Sequence, residues 1–189
     1  MDYIIAAIHE ETNISPKQIK AVVELLDDGN TIPFIARYRK EATGGLDENE
    51  IRLLEERLKF QRHLKQRKEE VIRLIAEQDK LTDELCLKIN QAQKLIEVED
   101  LYLPFKQKRK TRASSARERG LTPLADYLCS FPAAGNVEEE ALKYVKEDVP
   151  AVAAALQGAM DIIAEQVSED ASLRQWIREY SFRHGVLAV

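Results

Sequence analysis

Two groups of basic side chains are the residues whose types and spacing suit a chemical task. The first is Arg37, Arg39 and Lys40, and the second is a run of seven basic residues against one acid between Lys106 and Arg119. Arginine and lysine donate hydrogen bonds to phosphate oxygens, and arginine also pairs with guanine. Both groups therefore predict contact with the phosphate backbone of RNA or DNA.

The first group has two interpretations. A helix from Ile32 to Glu41 would present its cations as the recognition helix of a helix-turn-helix. Alternatively, Arg37 and Arg39 pair with nearby acids and fix the turn into the next helix, which the compactness of the motif favours. The candidate partners are Glu41, Asp47 and Glu48. Gly44 and Gly45 indicate a helix end, because they lack the spacing and the Lys-Ser/Thr ending of a phosphate-binding loop.

The second group is the steepest charge contrast in the chain. The segment 106–119 carries +6 while the whole chain carries −5, so −11 remains elsewhere. A basic loop between anchored helices can follow a phosphate backbone without reading bases. The alternative is a solvated loop, or one that docks on acidic helices of the same chain. The predicted phosphate contacts are Lys106, Lys108, Arg109, Lys110 and Arg112.

Catalysis finds little support in the residue pattern. His9, His63 and His184 are scattered and have no partner at metal-ligand spacing. The sequence has no Ser-His-Asp arrangement, P-loop or dinucleotide fingerprint. We expect no catalytic residue, no metal site and no cofactor, and hence a protein that is not an enzyme.

The elements that must position the two basic groups are helices. Charged residues make up 32% of the chain and aromatic residues 6%, with only 7 glycines, a composition typical of an all-α protein. Ser15 and Pro16 begin one helix and Gly29 ends it. We predict a three-helix, helix-turn-helix-like unit over 1–46, a long linking helix over 47–80, and a second helical bundle over 81–189.

The middle of the long helix is polar and basic. Between Gln61 and Glu70 the only aliphatic residue is Leu64, which is typical of a helix that bridges two packed regions across solvent. Its cations form either a solvated face with i,i+4 ion pairs or a further nucleic-acid contact. They are Arg62, Lys65, Arg67 and Lys68, with His63 beside them.

The compartment follows from absences in the sequence. Cys86 and Cys129 do not form a metal-binding pair, and the N-terminus is too acidic for a signal peptide. No window approaches the apolar length of a membrane span. We expect a cytoplasmic protein that is not attached to a membrane, and the net charge of −5 argues against a globally basic nucleic-acid binder.

Three long motifs carry a resemblance to a known family. They are TIPFIARYRKEATGGLDE at 31–48, EDLYLPFKQKRKTRA at 99–113 and GAMDIIAEQVSEDA at 158–171. In this order they resemble the N-terminal helical region of the bacterial Tex family of transcription accessory proteins. The resemblance covers essentially the whole chain.

The resemblance implies a longer protein. Family members continue into an RNase H-like domain of the YqgF type that generally lacks a catalytic set, then helix-hairpin-helix elements and an OB-fold that binds RNA and DNA. The apolar ending after Gly185 also looks like a cut. We therefore expect a scaffold for those C-terminal domains that helps to bind nucleic acid. The alternative is an interaction module that docks on the transcription machinery without touching nucleic acid.

Overall fold

The computed structural model describes residues 2–106, 109–132 and 135–186. Every regular element in these ranges is a helix, so the predicted all-α class is confirmed. The helices are α1 (Asp2–Thr12), α2 (Pro16–Asp27), α3 (Ile32–Tyr38), α4 (Lys40–Thr43), α5 (Glu48–Ala76), α6 (Asp83–Gln91), α7 (Leu95–Tyr102), α8 (Arg112–Glu118), α9 (Thr122–Cys129), α10 (Val137–Leu142), α11 (Val152–Glu169) and α12 (Ala171–His184). A 3-10 turn, Leu103–Phe105, follows α7.

The described chain divides into two compact units. The first contains the residues up to 81 together with 93–95, and the second contains 82–92 and the residues from 96 onward. The expected division at residue 46 is not reproduced, because Ile51, Leu54 and Leu58 of α5 belong to the same core as α1, α2 and α3. The long helix is thus part of the first unit and not a separate linker.

The core of the first unit is aliphatic. Its helices start where the sequence predicts: the Ser15 side chain accepts from the backbone N–H of Gln18, and Pro16 occupies the first position of α2. Apolar residues at helical spacing then face one another across α1, α2, α3 and α5. The fully buried members are Ile8, Ile19, Val22, Ile35, Ile51 and Leu54. The specific helix-turn-helix arrangement of α2 and α3 stays a prediction.

Helix α5 is 29 residues long and begins with a capping box of Asp47 and Glu50. Its middle does not cross solvent: Gln61 and Leu64 are buried, at 7% and 4% exposed. Helix α1 covers this stretch, and the Gln61 side chain donates to Glu11 at 3.0 Å. The expectation of a solvent-bridging segment was wrong, because polar side chains that bond across a helix pair can be buried without an aliphatic stripe.

The second unit is built on α11. Helices α8, α9 and α10 pack against it through small side chains such as Ala113, Ala116 and Ala155. A Cβ built on Gly158 would lie 2.4 Å from Leu121 Cδ1, so a larger residue here would force the buried Leu121 side chain to move. Helix α12 differs from the rest, because none of its residues is buried. Within the described chain, no helix is long and apolar enough to cross a membrane.

Candidate nucleic-acid interface

The predicted recognition helix is not continuous but consists of the two short helices α3 and α4. It breaks at Arg39, whose backbone (φ −126°, ψ 24°) separates α3 from α4. Residues five apart on a regular helix do not face each other. The break turns Arg39 back, so that its guanidinium lies 5.6 Å from the centre of the Phe34 ring. The continuous helix expected from Ile32 to Glu41 was therefore wrong.

The α3–α4 surface is the set Phe34, Arg37, Tyr38, Arg39 and Lys40. All five are exposed. The internal pairing that the compact motif favoured is absent within the described residues, since none of the three cations has an ion pair there. Two of the acids proposed as partners are otherwise engaged. Asp47 caps α5, and Glu48 pairs with Arg52 at 3.1 Å.

The basic groove is a second feature, formed on the second unit by Lys110, Arg112, Arg119 and Asp161. It has a volume of about 510 Å³ between α8 and α11, and its floor is made of small residues that include Gly158. Arg112 and Arg119 are exposed and make no ion pair within the described part of the chain. Asp161 is the one acid that lines the groove, so the cations dominate its local charge.

Glu165 fixes the position of α8 above the groove. The Thr111 hydroxyl donates to Glu165 Oε1 at 3.0 Å, and the Arg117 guanidinium pairs with Oε2 at 2.5 Å. Thr111 also caps α8 by accepting from the backbone N–H of Ser114. The start of the helix is therefore tied to α11 from two directions, which presents Arg112 on a rigid element and not on a flexible loop.

The groove contains only part of the predicted basic loop. Lys110 and Arg112 line it, but Lys110 also forms an ion pair with Glu118 at 3.0 Å. Lys106 and Arg109 are exposed and do not line the groove, and Lys108 lies outside the described residues. Arg119 was counted in the basic run but was not predicted as a contact. Arg119 follows Arg112 by seven residues, which is about two turns of a helix. This spacing in the sequence could have indicated that the two side chains lie on the same helix face.

The basic middle of α5 is neutralised within the first unit. Arg62 makes a two-pronged contact with Asp27 of α2, at 2.8 and 2.7 Å. The hydrogen bonds from Arg62 hold the pKa of the Asp27 carboxyl below its usual value, and the pKa of Arg62 is raised in turn. Lys65 pairs with Glu69 four residues on. These contacts favour the ion-paired interpretation over a nucleic-acid contact.

The histidines do not converge on one site. His9 Nδ1 lies 2.7 Å from the backbone oxygen of Ile14, where it closes the end of α1. His184 lies against the Tyr180 ring at 4.6 Å, and His63 is exposed on α5. Among the described residues no three His, Cys, Asp or Glu side chains are placed to hold a metal ion.

The fold and these two surfaces define a class: an all-helical protein of two units, each with exposed cations that form no ion pair among the described residues, such as Arg37 in the first unit and Arg112 in the second. Comparison with known proteins then gives the family. Residues 2–76 match the Tex-like protein N-terminal domain, and residues 133–189 match the Tex central region-like model. The chain belongs to the Tex family, in agreement with the resemblance carried by its three motifs.

Relatives from distant organisms align along almost the whole chain. The uncharacterized protein YdcI of Bacillus subtilis is 51% identical over 182 residues, which are 95% of this chain and 25% of that protein. The transcriptional accessory protein Tex of Neisseria gonorrhoeae is 49% identical over 172 residues, 91% of this chain and 23% of its own length. The human S1 RNA-binding domain-containing protein 1 is 29% identical over 179 residues, 93% of this chain and 18% of the human protein. The chain thus spans about a quarter of the length of its bacterial relatives.

Proposed function

We propose that this chain is the N-terminal helical part of a Tex-family transcription accessory protein and that it contacts the phosphates of RNA or DNA. The observation that supports this most is the basic groove, where Lys110, Arg112 and Arg119 share one concave surface. The names of two relatives, one a transcriptional accessory protein and one an S1 RNA-binding domain-containing protein, fit the same role. The chain acts by binding and not by catalysis, and uses no cofactor.

The groove supplies affinity without reading sequence. Its cations would meet phosphate oxygens, and the amide of Gln157 in its lining already donates to Asp161 at 3.2 Å. Neutralising about three phosphates gives a slope of log K against log salt of about −2 to −3. Between about 50 and 200 mM salt, affinity is therefore expected to fall by about 15- to 60-fold.

Charge reversal tests the groove. Arg112→Glu combined with Arg119→Glu is expected to make the salt slope shallower by about 1.5 to 2 and to abolish most binding at low salt. The matched control reverses Lys146 and Arg183, which are exposed cations of the same unit outside the groove. Fluorescence anisotropy with labelled RNA and duplex DNA gives the readout. Equal losses in the two double variants would contradict a specific role for the groove.

Helix α12 favours a second function, the docking of protein. Leu173, Trp176, Ile177 and Tyr180 form one stripe at helical spacing and are 40 to 60% exposed. A contiguous stripe of exposed apolar side chains often marks a surface that binds another protein or another part of the same protein. We propose the remaining part of the longer Tex-family protein as that partner, since the relatives are about four times as long as this chain.

Hydrogen exchange can compare α12 in this chain alone with α12 in the longer Tex-family protein. Slower exchange of α12 in the longer protein than in this chain alone would support docking of the same protein, and equal exchange would contradict it. Sedimentation of the chain alone detects a second copy as the competing partner. Other components of the transcription machinery stay as proposed partners. A cytoplasmic location is also proposed, with support from the free thiols of Cys86 and Cys129.

A further inference from the structure

Two aromatic rings of the α3–α4 surface are exposed next to each other. Phe34 is 37% and Tyr38 70% exposed, whereas the neighbouring Ile35 and Ala36 are buried and supply the contact with the core. The ring centres of Phe34 and Tyr38 are 5.4 Å apart, with an angle of 43° between their planes. The helix therefore uses its aliphatic side for folding and presents a pair of rings to solvent.

Three cations belong to the same short segment as this ring pair, and one of them contacts it. Arg39 lies against Phe34, and the helix break at Arg39 is what allows that contact. Arg37 and Lys40 are exposed nearby, and none of the three has an ion pair within the part of the chain that the structure describes. Glu41 is an exposed acid of the same segment, so the patch has a local charge of +2 over 34–41. Flat apolar faces and unpaired positive charges are thus combined on about two turns of helix.

The ligand that matches both features has flat faces and negative charges at regular spacing. Single-stranded RNA or DNA has both, because its bases are unstacked enough to lie on an aromatic ring while its phosphates meet the cations. In a duplex the base faces are covered by their neighbours, and only the edges are accessible. An acidic peptide would satisfy the cations but would leave the rings without a matching surface.

We propose that the α3–α4 surface is a stacking site for the unpaired bases of single-stranded nucleic acid, with Phe34 and Tyr38 as the platform and Arg39 as its extension. This site lies on the first unit and its argument does not use the basic groove. It also replaces the duplex-reading recognition helix with a different mode of contact. Stacking tolerates any base, so the site selects strandedness and not sequence.

An abasic oligonucleotide separates bases from phosphates. The chain is titrated with three labelled ligands of equal length: a single strand, the same strand without bases, and a duplex. Stacking of a base contributes about 1–3 kcal/mol, so Tyr38→Ala is expected to weaken single-strand binding by about 5- to 150-fold. Its binding to the abasic strand is expected to stay within about 2-fold of the unsubstituted chain, because the cations are intact.

Two further variants serve as controls. Tyr38→Phe retains the ring and is expected to bind the single strand like the unsubstituted chain. Phe131→Ala removes a ring that is 88% exposed on the second unit, and is expected to change nothing. Because Tyr38 is 70% exposed, its replacement leaves the core intact, and circular dichroism verifies the helical content of each variant.

Each outcome decides the proposal. Equal affinity of the unsubstituted chain for the intact and the abasic strand would overturn it, as would tighter binding of duplex than of single strand. If Tyr38→Ala weakens binding of the intact and the abasic strand equally, Tyr38 contributes only through phosphate contact, and the stacking proposal is overturned. The groove variant Arg112→Glu with Arg119→Glu distinguishes the two sites. If the groove variant binds more weakly but still prefers the intact strand to the abasic strand, both proposals are supported. If the groove variant loses this preference while Tyr38→Ala keeps it, the stacking site is overturned.

Discussion

Asp100 of α7 gives the sharpest test of how α12 is held. Its carboxylate is buried, at 3% exposed, and meets two arginines of α12. Arg174 Nε donates to Oδ1 at 2.6 Å, and Arg178 lies within ion-pair distance of Oδ2 without the angle of a hydrogen bond. Since no residue of α12 is buried, these ion pairs carry much of its attachment. We predict that removing the arginines is far more damaging than removing the carboxylate.

The asymmetry follows from where the charges lie. Without Arg174 and Arg178, the buried carboxylate of Asp100 loses both cationic partners, and a loss of this kind typically destabilises a protein by about 3–5 kcal/mol. The two arginine side chains are 38% and 37% exposed, so water enters the vacated space and reduces this to about 2–4 kcal/mol. Asp100→Asn instead leaves two arginines that water already reaches, and its expected loss of folding stability is about 1–2 kcal/mol.

Urea unfolding measures these differences, and Trp176 reports on α12. It is the single tryptophan of the chain and lies between the two arginines in sequence. With an m-value of about 1–3 kcal/mol per M, the Arg174→Ala, Arg178→Ala variant is expected to lose about 1–2 M in its fluorescence midpoint. Arg183→Ala is the matched control, an exposed arginine of α12 that makes no ion pair within the described residues. Far-UV circular dichroism shows whether the rest of the chain unfolds in the same transition.

The triple variant, with Asp100→Asn added to the two arginine changes, decides the cause. It carries no buried charge at this position, so it is expected to be more stable than the double variant although it has one substitution more. If the triple variant is as unstable as the double, an unpaired buried carboxylate is not the reason for the loss. The attachment of α12 would then rest on the packing of the arginine stems.

Three further predictions concern stability. Gly158→Ala is expected to destabilise the second unit by about 1–3 kcal/mol in urea, because the new methyl group collides with Leu121; an unchanged midpoint would contradict the close packing. Asp47→Ala is expected to lower the stability of the first unit by about 1 kcal/mol through loss of the α5 cap, measured by thermal unfolding against Asn49→Ala, a change at an exposed position of the same helical turn. The lowered pKa of Asp27 means that its pair with Arg62 stabilises the fold above the unfolded pKa of about 3.9 and loses this as pH falls through the folded value. Asp27→Asn is therefore expected to be less stable than the unsubstituted chain by about 0.5–1 kcal/mol at neutral pH, with the difference gone at acid pH; a constant difference would refute the linkage.

The helix boundaries were predictable because local chemistry determines them. Ser15, Asp47 and Thr82 each accept the backbone hydrogen bond expected of a cap. Two neighbouring residues could cap the last helix: Asp170 accepts the backbone hydrogen bond of Leu173, and Ser172 donates to the Asp170 carboxylate. Either residue satisfies the same local rule, and only the coordinates show which one is used.

The environment of the basic residues could not be predicted in the same way. Whether Arg62 is free or paired depends on Asp27, a residue 35 positions away, and sequence spacing does not reveal that contact. The same holds for Arg117 and Glu165. The pairing of Arg39 with Phe34 depends on a break in the helix that no glycine or proline announces. Short-range rules thus predict which residues are helical, whereas long-range packing decides which cations remain accessible.

This distinction resolves the apparent conflict between a net charge of −5 and a nucleic-acid role. Some of the acids are paired inside the fold: Glu165 holds α8, Asp100 meets α12 and Asp27 meets α5. An acid that is paired contributes little to the field at a distant surface, and salt screens the rest beyond about 8–10 Å. A phosphate that entered the groove, as proposed, would meet Arg112 and Arg119 with a single lining acid. The local field follows the accessible, unpaired charges, and for this chain those in the groove are mainly positive.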